Sequence, residues 1–312
     1  MYKLLLLILS LSAFSQIPDP TYIGLENNKL MAFQSHDIDA VNSDIEKAII
    51  TIHGSTRNGG TYYKSVARMA KRLGLDKSTF VLSPNFKERG DSVISGELIY
   101  NAWGFDWWVG NNSIDSSSTS SFEVIDLLVE KFANKTKFPN INSIVITGHS
   151  AGGHLTQRYA LGSVIENKYS DIKFKYVVTN PGTYAYLNKF RPVAGHRGQF
   201  EIPRVRCAYN NYKYGMDKRN QYMNKNKLNT MIENFLSRDV VYLLGEDDIG
   251  DVEQSCEAQV QGPNRFLRGV NFKSHLDKFY PQNSHSLVSV PNVGHTQYGM
   301  YTSEFGSEVL FY

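Results

Sequence analysis

The sequence predicts an α/β fold, in which a mainly parallel central sheet carries helices on both faces. Short apolar runs alternate along the chain with segments of helical periodicity. Most of these runs, such as "KAIITIHG" (47–54) and "INSIVITG" (141–148), are apolar at successive positions and not only at alternate ones. Strands of that kind are buried on both faces, which is typical of parallel sheets enclosed by helices. The 312 residues, 41% of them hydrophobic, are enough for one large domain.

The predicted elements follow one another in a regular order. The strands are 29–37, 47–54, 78–86, 141–148, 175–182, 238–247 and 285–294. The clearest helices cover 63–75, 121–134 and 150–167. Within 121–134 an apolar stripe recurs at helical spacing, formed by Phe122, Ile125, Leu128, Val129 and Phe132. Strands that alternate with helices in this way predict crossover connections and a parallel sheet.

Two long intervals, 183–237 and 249–284, interrupt the alternation. Intervals of this length inside a compact domain are usually functional insertions or lids. We therefore predict a single domain, 16–312, with cap-like insertions at about these positions. One cysteine falls in each interval, Cys207 in the first and Cys256 in the second.

The N-terminus "MYKLLLLILSLSAFSQ" has the pattern of a secretory signal peptide, residues 1–15. A basic residue, Lys3, precedes an apolar run, and "AFS" is a small-x-small cleavage site before Gln16. An uncleaved anchor is the alternative. After cleavage we expect no stable membrane insertion, and a secreted or periplasmic location. A lone cysteine pair in an oxidising compartment is usually bridged, so we predict a Cys207–Cys256 disulfide.

Charge and motif content exclude other classes of function. The formal net charge is +3 and no basic run is present, so we expect no nucleic-acid partner. Neither an HExxH motif nor a carboxylate cluster occurs, so we expect no metal and no cofactor.

The strongest chemical signal is "GHSAG" (148–152), which places Ser150 between a buried strand and a helix. GxSxG alone is a weak motif. Its strained strand–turn–helix context, with small residues beside the serine, makes it specific for a nucleophile. The alternative is a purely structural turn of small residues.

A serine nucleophile needs a histidine base and an acid that orients the histidine. His295 follows the last predicted strand, where the base belongs in the chain order serine, acid, histidine. The acid belongs after the preceding strand, in "GEDDIGD". We prefer Asp248, with Asp247 as the second choice and Asp251 as the third.

With these residues in place, the chain resembles the α/β-hydrolases over nearly the whole mature length. "GHSAG" matches the nucleophile elbow, and "HGSTRNGG" (53–60) matches the HG element of the first loop. The resemblance implies an oxyanion hole formed by the amide of Ala151 and by that of Ser55 or Gly54, of which we favour Ser55. An HGGG motif is lacking, so the lipase and esterase group that carries it is not indicated.

Two further features are candidates for substrate binding. The stretch "YNAWGFDWWVGNN" (100–112) holds Trp103, Trp107 and Trp108, which either stack on a sugar or aryl group or pack in the core. Arg57, beside the oxyanion loop, either binds a polar or anionic substrate group or structures that loop.

The sequence thus predicts an exported serine hydrolase that cleaves carboxylic esters through an acyl-enzyme. We expect its partner to be a small-molecule substrate with a small acyl or aryl group, or such an ester carried on a polysaccharide. An exported serine peptidase or lipase on the same fold is the nearest alternative. A catalytically inactive glycan-binding protein is the alternative from a different class.

Overall fold

The structure, a computed structural model, describes residues 17–102, 106–250 and 253–312. The strands are β1 Thr21–Leu25, β2 Asn28–Gln34, β3 Lys47–Ile52, β4 Thr79–Pro84, β5 Lys87–Glu88, β6 Ile99–Tyr100, β7 Ser143–His149, β8 Lys173–Thr179, β9 Arg191–Pro192, β10 Phe200–Glu201, β11 Asp239–Gly245 and β12 Ser286–Val290. The helices are α1 Gly59–Arg72, α2 Ser121–Ala133, α3 Ala151–Gly162, α4 Leu228–Ser237, α5 Cys256–Gln259, α6 Arg265–Phe279, α7 Gln297–Thr302 and α8 Glu304–Phe311. Short 3₁₀ helices lie at Trp107–Val109 and Ile165–Lys168.

Within the described residues one large sheet has eight strands in the order β1-β2-β4-β3-β7-β8-β11-β12. β1 and β2 form a hairpin, and β2 pairs antiparallel with β4. All pairings from β4 through β3, β7, β8 and β11 to β12 are parallel. The predicted mainly parallel sheet is confirmed. The sequence pattern missed β1, because this edge strand is buried at only two of its five positions.

Successive residues of the central strands point to opposite helix layers. On one face Ile50 and Ile146 pack with α2, α3, α4 and α6. On the other face Ile49 and Val145 pack with α1, α7 and α8. Burial of the strands on both faces explains why their sequences are apolar at successive positions.

The two long intervals differ in how they relate to the sheet. Residues 249–284 contain α6, whose Phe272 and Leu276 lie in the core, so α6 is a regular crossover helix between β11 and β12. Residues 183–227 contain only the small β9–β10 hairpin as regular secondary structure. We call 183–227 the cap segment. The predicted Cys207–Cys256 disulfide is present and joins the cap segment to α5.

Among the helices of the described ranges, none combines the length and the apolarity that a membrane crossing requires.

Candidate active site

Ser150 lies in a tight turn between β7 and α3, at the carboxyl edge of the parallel sheet. Its backbone has φ 60° and ψ −116°, a conformation that costs a non-glycine residue energy and persists only where its surroundings enforce it. The close packing of the turn supplies that enforcement. A Cβ on Gly152 would lie 2.2 Å from the carbonyl oxygen of Ile52, and one on Gly148 would lie 2.3 Å from the carbonyl oxygen of Gly152. Only glycine therefore fits at these two positions.

The structure brings the predicted nucleophile, base and acid together. His295 Nε2 lies 2.9 Å from Ser150 Oγ, and His295 Nδ1 lies 2.7 Å from Asp248 Oδ2. These residues meet because Asp248 follows β11 and His295 follows β12, and parallel strands present their carboxyl ends at one edge of the sheet. With Nδ1–H donated to the carboxylate, Nε2 is the acceptor that faces the serine hydroxyl.

Of the three candidate acids, Asp248 occupies the position beside the histidine. It is 1% exposed, and its second oxygen Oδ1 accepts a hydrogen bond from Arg265 at 3.3 Å. Asp247 is exposed, and its backbone N–H donates to the carbonyl of Val293. Asp251 lies outside the described residues. The geometry therefore favours Asp248.

Asn180, which the sequence reasoning did not single out, joins the loops that carry the acid and the base. It is buried at the end of β8 with φ 44°. Its Oδ1 accepts from the N–H of Gly245 at 2.9 Å, and its Nδ2 donates to the carbonyl of Gly294 at 3.4 Å. The turn sequence "NPG" indicated a strand end, but nothing in it indicated these two partners.

The two predicted oxyanion donors lie on either side of the serine turn. Ala151 is the first residue of α3, and amides in the first turn of a helix have no acceptor within the helix. Ser55 lies in a turn in which the N–H of Arg57 donates to the carbonyl of Gly54 at 3.1 Å. The backbone of Gly54 lies against the Tyr62 hydroxyl, since a Cβ on Gly54 would stand 2.8 Å from Tyr62 Oη. The oxyanion role of Ala151 and Ser55 stays a prediction.

His53 stabilises this turn by hydrogen bonds, a role that the sequence did not indicate. Its Nε2 accepts from the N–H of Phe86 at 2.9 Å, so its Nδ1 carries the proton and donates to the carbonyl of Gly54 at 2.8 Å. Burial lowers the pKa of His53 to about 4. The neutral ring therefore keeps both bonds at physiological pH.

The predicted substrate contact of Trp107 is wrong, because this side chain is fully buried. Its ring stacks on Phe86 with centroids 5.3 Å apart, and its Nε1 donates to Glu88 at 2.8 Å. Trp108 is partly buried, with its ring 5.5 Å from that of His154. Its role in substrate binding stays a prediction. Trp103 lies outside the described residues.

Arg57 is engaged by two carboxylates, which favours the alternative that it structures the oxyanion loop. Its Nε and Nη2 donate to Asp91 at 2.9 and 3.0 Å, and its Nη1 donates to Glu88 at 2.9 Å. This hydrogen-bonded pairing lowers the pKa of Asp91 and raises that of Arg57. A bidentate pair leaves little of the guanidinium for a substrate anion, so the predicted substrate contact of Arg57 is not supported.

Two further histidines, His149 and His154, are buried beside Ser150. The ring of His149 lies 4.5 Å from that of His295, and His154 Nε2 accepts from the N–H of Gly182 at 2.8 Å. Burial holds the pKa of both well below the usual value, so both rings are uncharged at neutral pH. In the described ranges, no group of three or more His, Cys, Asp or Glu residues is placed to hold a metal ion.

A parallel sheet with this strand order, a strained serine turn after its central strand, and an acid and a histidine after its last two strands define the α/β-hydrolase fold. No protein-family model and no curated protein matches the sequence. Solved structures do match. LpqC, a poly(3-hydroxybutyrate) depolymerase from Bordetella parapertussis, is 16% identical with a TM-score of 0.64, over 94% of this chain and 90% of that one. Poly(aspartic acid) hydrolase-1 from Sphingomonas sp. KT-1 is 18% identical with a TM-score of 0.64, over 95% of this chain and 100% of that one. Identities this low show the fold alone, and the predicted fold is confirmed.

Proposed function

We propose that this protein is a serine hydrolase that cleaves carboxylic esters. The observation that carries the proposal is the continuous contact from Ser150 Oγ through His295 to the buried carboxylate of Asp248, at 2.9 and 2.7 Å. A serine hydroxyl is a weak nucleophile until a base removes its proton, and this arrangement supplies the base and the group that orients it.

The reaction would proceed through an acyl-enzyme. Ser150 Oγ attacks the ester carbonyl carbon while His295 Nε2 takes the hydroxyl proton, and Asp248 stabilises the imidazolium. The amides of Ala151 and Ser55 stabilise the negative oxygen of the tetrahedral intermediate. His295 then protonates the departing alcohol. Water enters, His295 takes one of its protons, and the hydroxide oxygen bonds to the acyl carbon. The bond from that carbon to Ser150 Oγ then breaks, His295 returns the proton to Oγ, and the carboxylic acid leaves. Each proton removed is returned, so the cycle requires no cofactor.

For the substrate we propose small acyl or aryl esters, free or carried on a polysaccharide, with Trp108 as the aromatic contact. Relatives in fold include a poly(3-hydroxybutyrate) depolymerase and a poly(aspartic acid) hydrolase, so the fold itself accommodates different substrates. A peptidase or lipase is the second candidate, because ester and amide cleavage use the same arrangement of residues.

The test is labelling with a fluorophosphonate, which reacts with activated serines. We expect labelling of the wild-type protein and none of Ser150→Ala. Folded wild-type protein that resists the reagent would refute the enzyme proposal. A panel of short-chain, long-chain, aryl and sugar esters, with peptides beside them, then separates the substrate classes. Hydrolysis of peptides without any ester would refute the ester assignment.

We also propose export, with removal of residues 1–15. The Cys207–Cys256 disulfide supports an oxidising location, because such bonds are rare where thiols are kept reduced. N-terminal sequencing of protein recovered from the producing cells should start at Gln16. An N-terminus at Met1 would contradict the proposal.

A further inference from the structure

Tyr62 lies in the first turn of α1, under the oxyanion loop and beside the serine turn. It is 4% exposed. Gly54 lies between its hydroxyl and the nucleophile, since a Cβ on Gly54 would stand 2.8 Å from Tyr62 Oη and 3.6 Å from Ser150 Cβ. The side chain therefore approaches the catalytic centre from the protein interior.

The Tyr62 hydroxyl has two close neighbours, and they belong to different parts of the site. It lies against the backbone of Gly54, in the oxyanion loop, and 3.3 Å from Nδ1 of His149, in the nucleophile motif. A hydroxyl can donate or accept, so this bond forms with either tautomer of the neutral imidazole.

His149 connects Tyr62 with the catalytic base, His295. Its ring packs against that of His295 with centroids 4.5 Å apart and planes inclined by 39°. In the described part of the chain its buried Nε2 has no hydrogen-bond partner, so the bond to Tyr62 is the polar contact that orients the ring. A rotated His149 would change the surface against which His295 rests.

We infer that Tyr62 is a positioning residue, whose single hydroxyl fixes the positions of the oxyanion loop and the catalytic histidine relative to Ser150. The inference rests on the proposed function and adds to it a residue outside the triad. The peptide geometry of the loop supports the same role. The carbonyl of Gly54 accepts from His53 Nδ1–H and from the N–H of Arg57, and the planar trans peptide points the N–H of Ser55 away from that carbonyl. Tyr62 Oη lies against Gly54 and so limits the movement of the residue that begins this peptide.

Loss of this positioning should raise the free energy of the transition state. An oxyanion donor acts only on charge that develops during the reaction, so misplacing it lowers kcat and leaves substrate binding nearly unchanged. Removal of the Tyr62 hydroxyl should therefore act on kcat. It should also slow the reaction of Ser150 with a fluorophosphonate, whose phosphoryl oxygen uses the same donors.

The experiment compares Tyr62→Phe with Tyr301→Phe. Tyr301 is equally buried, its ring lies 6.4 Å from that of Tyr62, and its hydroxyl bonds to Thr147 in the core at 3.2 Å. We expect Tyr62→Phe to lower kcat for 4-nitrophenyl acetate by about 10- to 100-fold, with KM within about twofold, and to lower the labelling rate in parallel. Tyr301→Phe should lower Tm by a similar amount and keep the wild-type kcat.

A second pair of variants tests the link through His149. His149→Leu removes the hydrogen-bond partner of the Tyr62 hydroxyl and should reproduce the loss of kcat, whereas His149→Gln offers a polar side chain and should recover part of it. Wild-type kcat in Tyr62→Phe, or equal losses in Tyr62→Phe and Tyr301→Phe, would overturn the inference while the hydrolase proposal stands. A wild-type protein without labelling or ester hydrolysis would instead refute the proposed function.

Discussion

The serine turn and the cap segment are both irregular, and they are held in place by opposite means. The turn, residues 148–153, is enforced by backbone packed on backbone, as the 2.2 Å approach to Gly152 shows. The cap segment is held by buried arginines. Arg158 on α3 donates to the carbonyl of Lys213 at 2.7 and 3.0 Å, and Arg191 donates to the carbonyls of Tyr209 and Tyr214 at 3.0 and 3.1 Å.

The difference follows from what each region must satisfy. The turn continues a strand and begins a helix, so most of its polar backbone groups have ladder partners and only its tight curvature needs a special residue. The cap segment has little regular structure, and its buried carbonyls must find other donors. Guanidinium groups supply several N–H donors in fixed directions, which suits carbonyls that converge from different loops. In the cap segment, arginine side chains thus supply the hydrogen-bond donors that neighbouring strands supply in a sheet.

The largest expected effect tests the backbone packing of the serine turn. In Gly152→Ala the new methyl meets the carbonyl of Ile52, which belongs to the sheet and cannot move aside. We expect loss of soluble folded protein, or of all labelling by a fluorophosphonate if it folds. Gly24→Ala is the matched control, because a Cβ there has no atom within 4 Å. A well-folded, fully active Gly152→Ala protein would show that the turn is not sterically determined.

The next effect concerns the acid at the edge of the same sheet. Asp248→Asn keeps the shape of the side chain but favours the wrong tautomer of His295, and we expect kcat to fall by about 10³- to 10⁴-fold. Asp247→Asn is the control and should remain close to wild type, because Asp247 is exposed and Asp248 makes the 2.7 Å contact. Steady-state kinetics of both variants decide the assignment. If Asp247→Asn were the inactive variant, the assignment would be wrong.

Among substitutions that affect the cap segment, we expect Arg158→Met to be the most destabilising. It removes both hydrogen bonds that the carbonyl of Lys213 accepts from the Arg158 guanidinium. We expect a loss of about 3 kcal/mol in the free energy of unfolding. Urea unfolding measures it. Lys225→Met, in an exposed ion pair of the same segment, should cost about 0.5 kcal/mol or less. Equal effects of the two substitutions would show that the buried guanidinium does not hold the cap segment.

The smallest expected effect lies in the oxyanion loop, which combines both modes of support. Asp91→Asn removes the bidentate partner of Arg57 and should lower kcat by a few fold and stability by ~1 kcal/mol or less.

Because Arg57 lowers the pKa of Asp91 from 3.8, the contribution of the pair is complete above that value and is lost as the pH falls through the lower folded-state pKa. The difference in stability between wild type and Asp91→Asn should therefore be present at neutral pH and shrink below pH 3.8. Asp39→Asn, in an exposed pair with Lys131, is the control for activity. A difference in stability that is independent of pH would contradict the role of this ion pair.

Much of the fold and the placement of the central site residues could be predicted from local pattern. Seven sheet strands, the serine turn, the position of His295 and the loop that carries the acid follow from apolar runs, glycines and chain order. Trp107 and Arg57 could not be assigned in the same way. An aromatic side chain near a site has the same sequence signature whether it is buried or exposed, and the partners of Arg57 lie 31 and 34 residues away. Asn180 and Tyr62 were missed because their roles depend on atoms that only folding brings near.

The sequence by itself determined the layered sheet and the serine turn, since these depend on burial along single segments and on residues that tolerate close packing. Only the tertiary structure decided which acid faces the histidine, which tryptophan is buried, and what holds the cap segment and the oxyanion loop. These outcomes depend on the directions of individual hydrogen bonds between distant segments. Such directions are set by the folded backbone, and periodicity in the sequence carries no record of them.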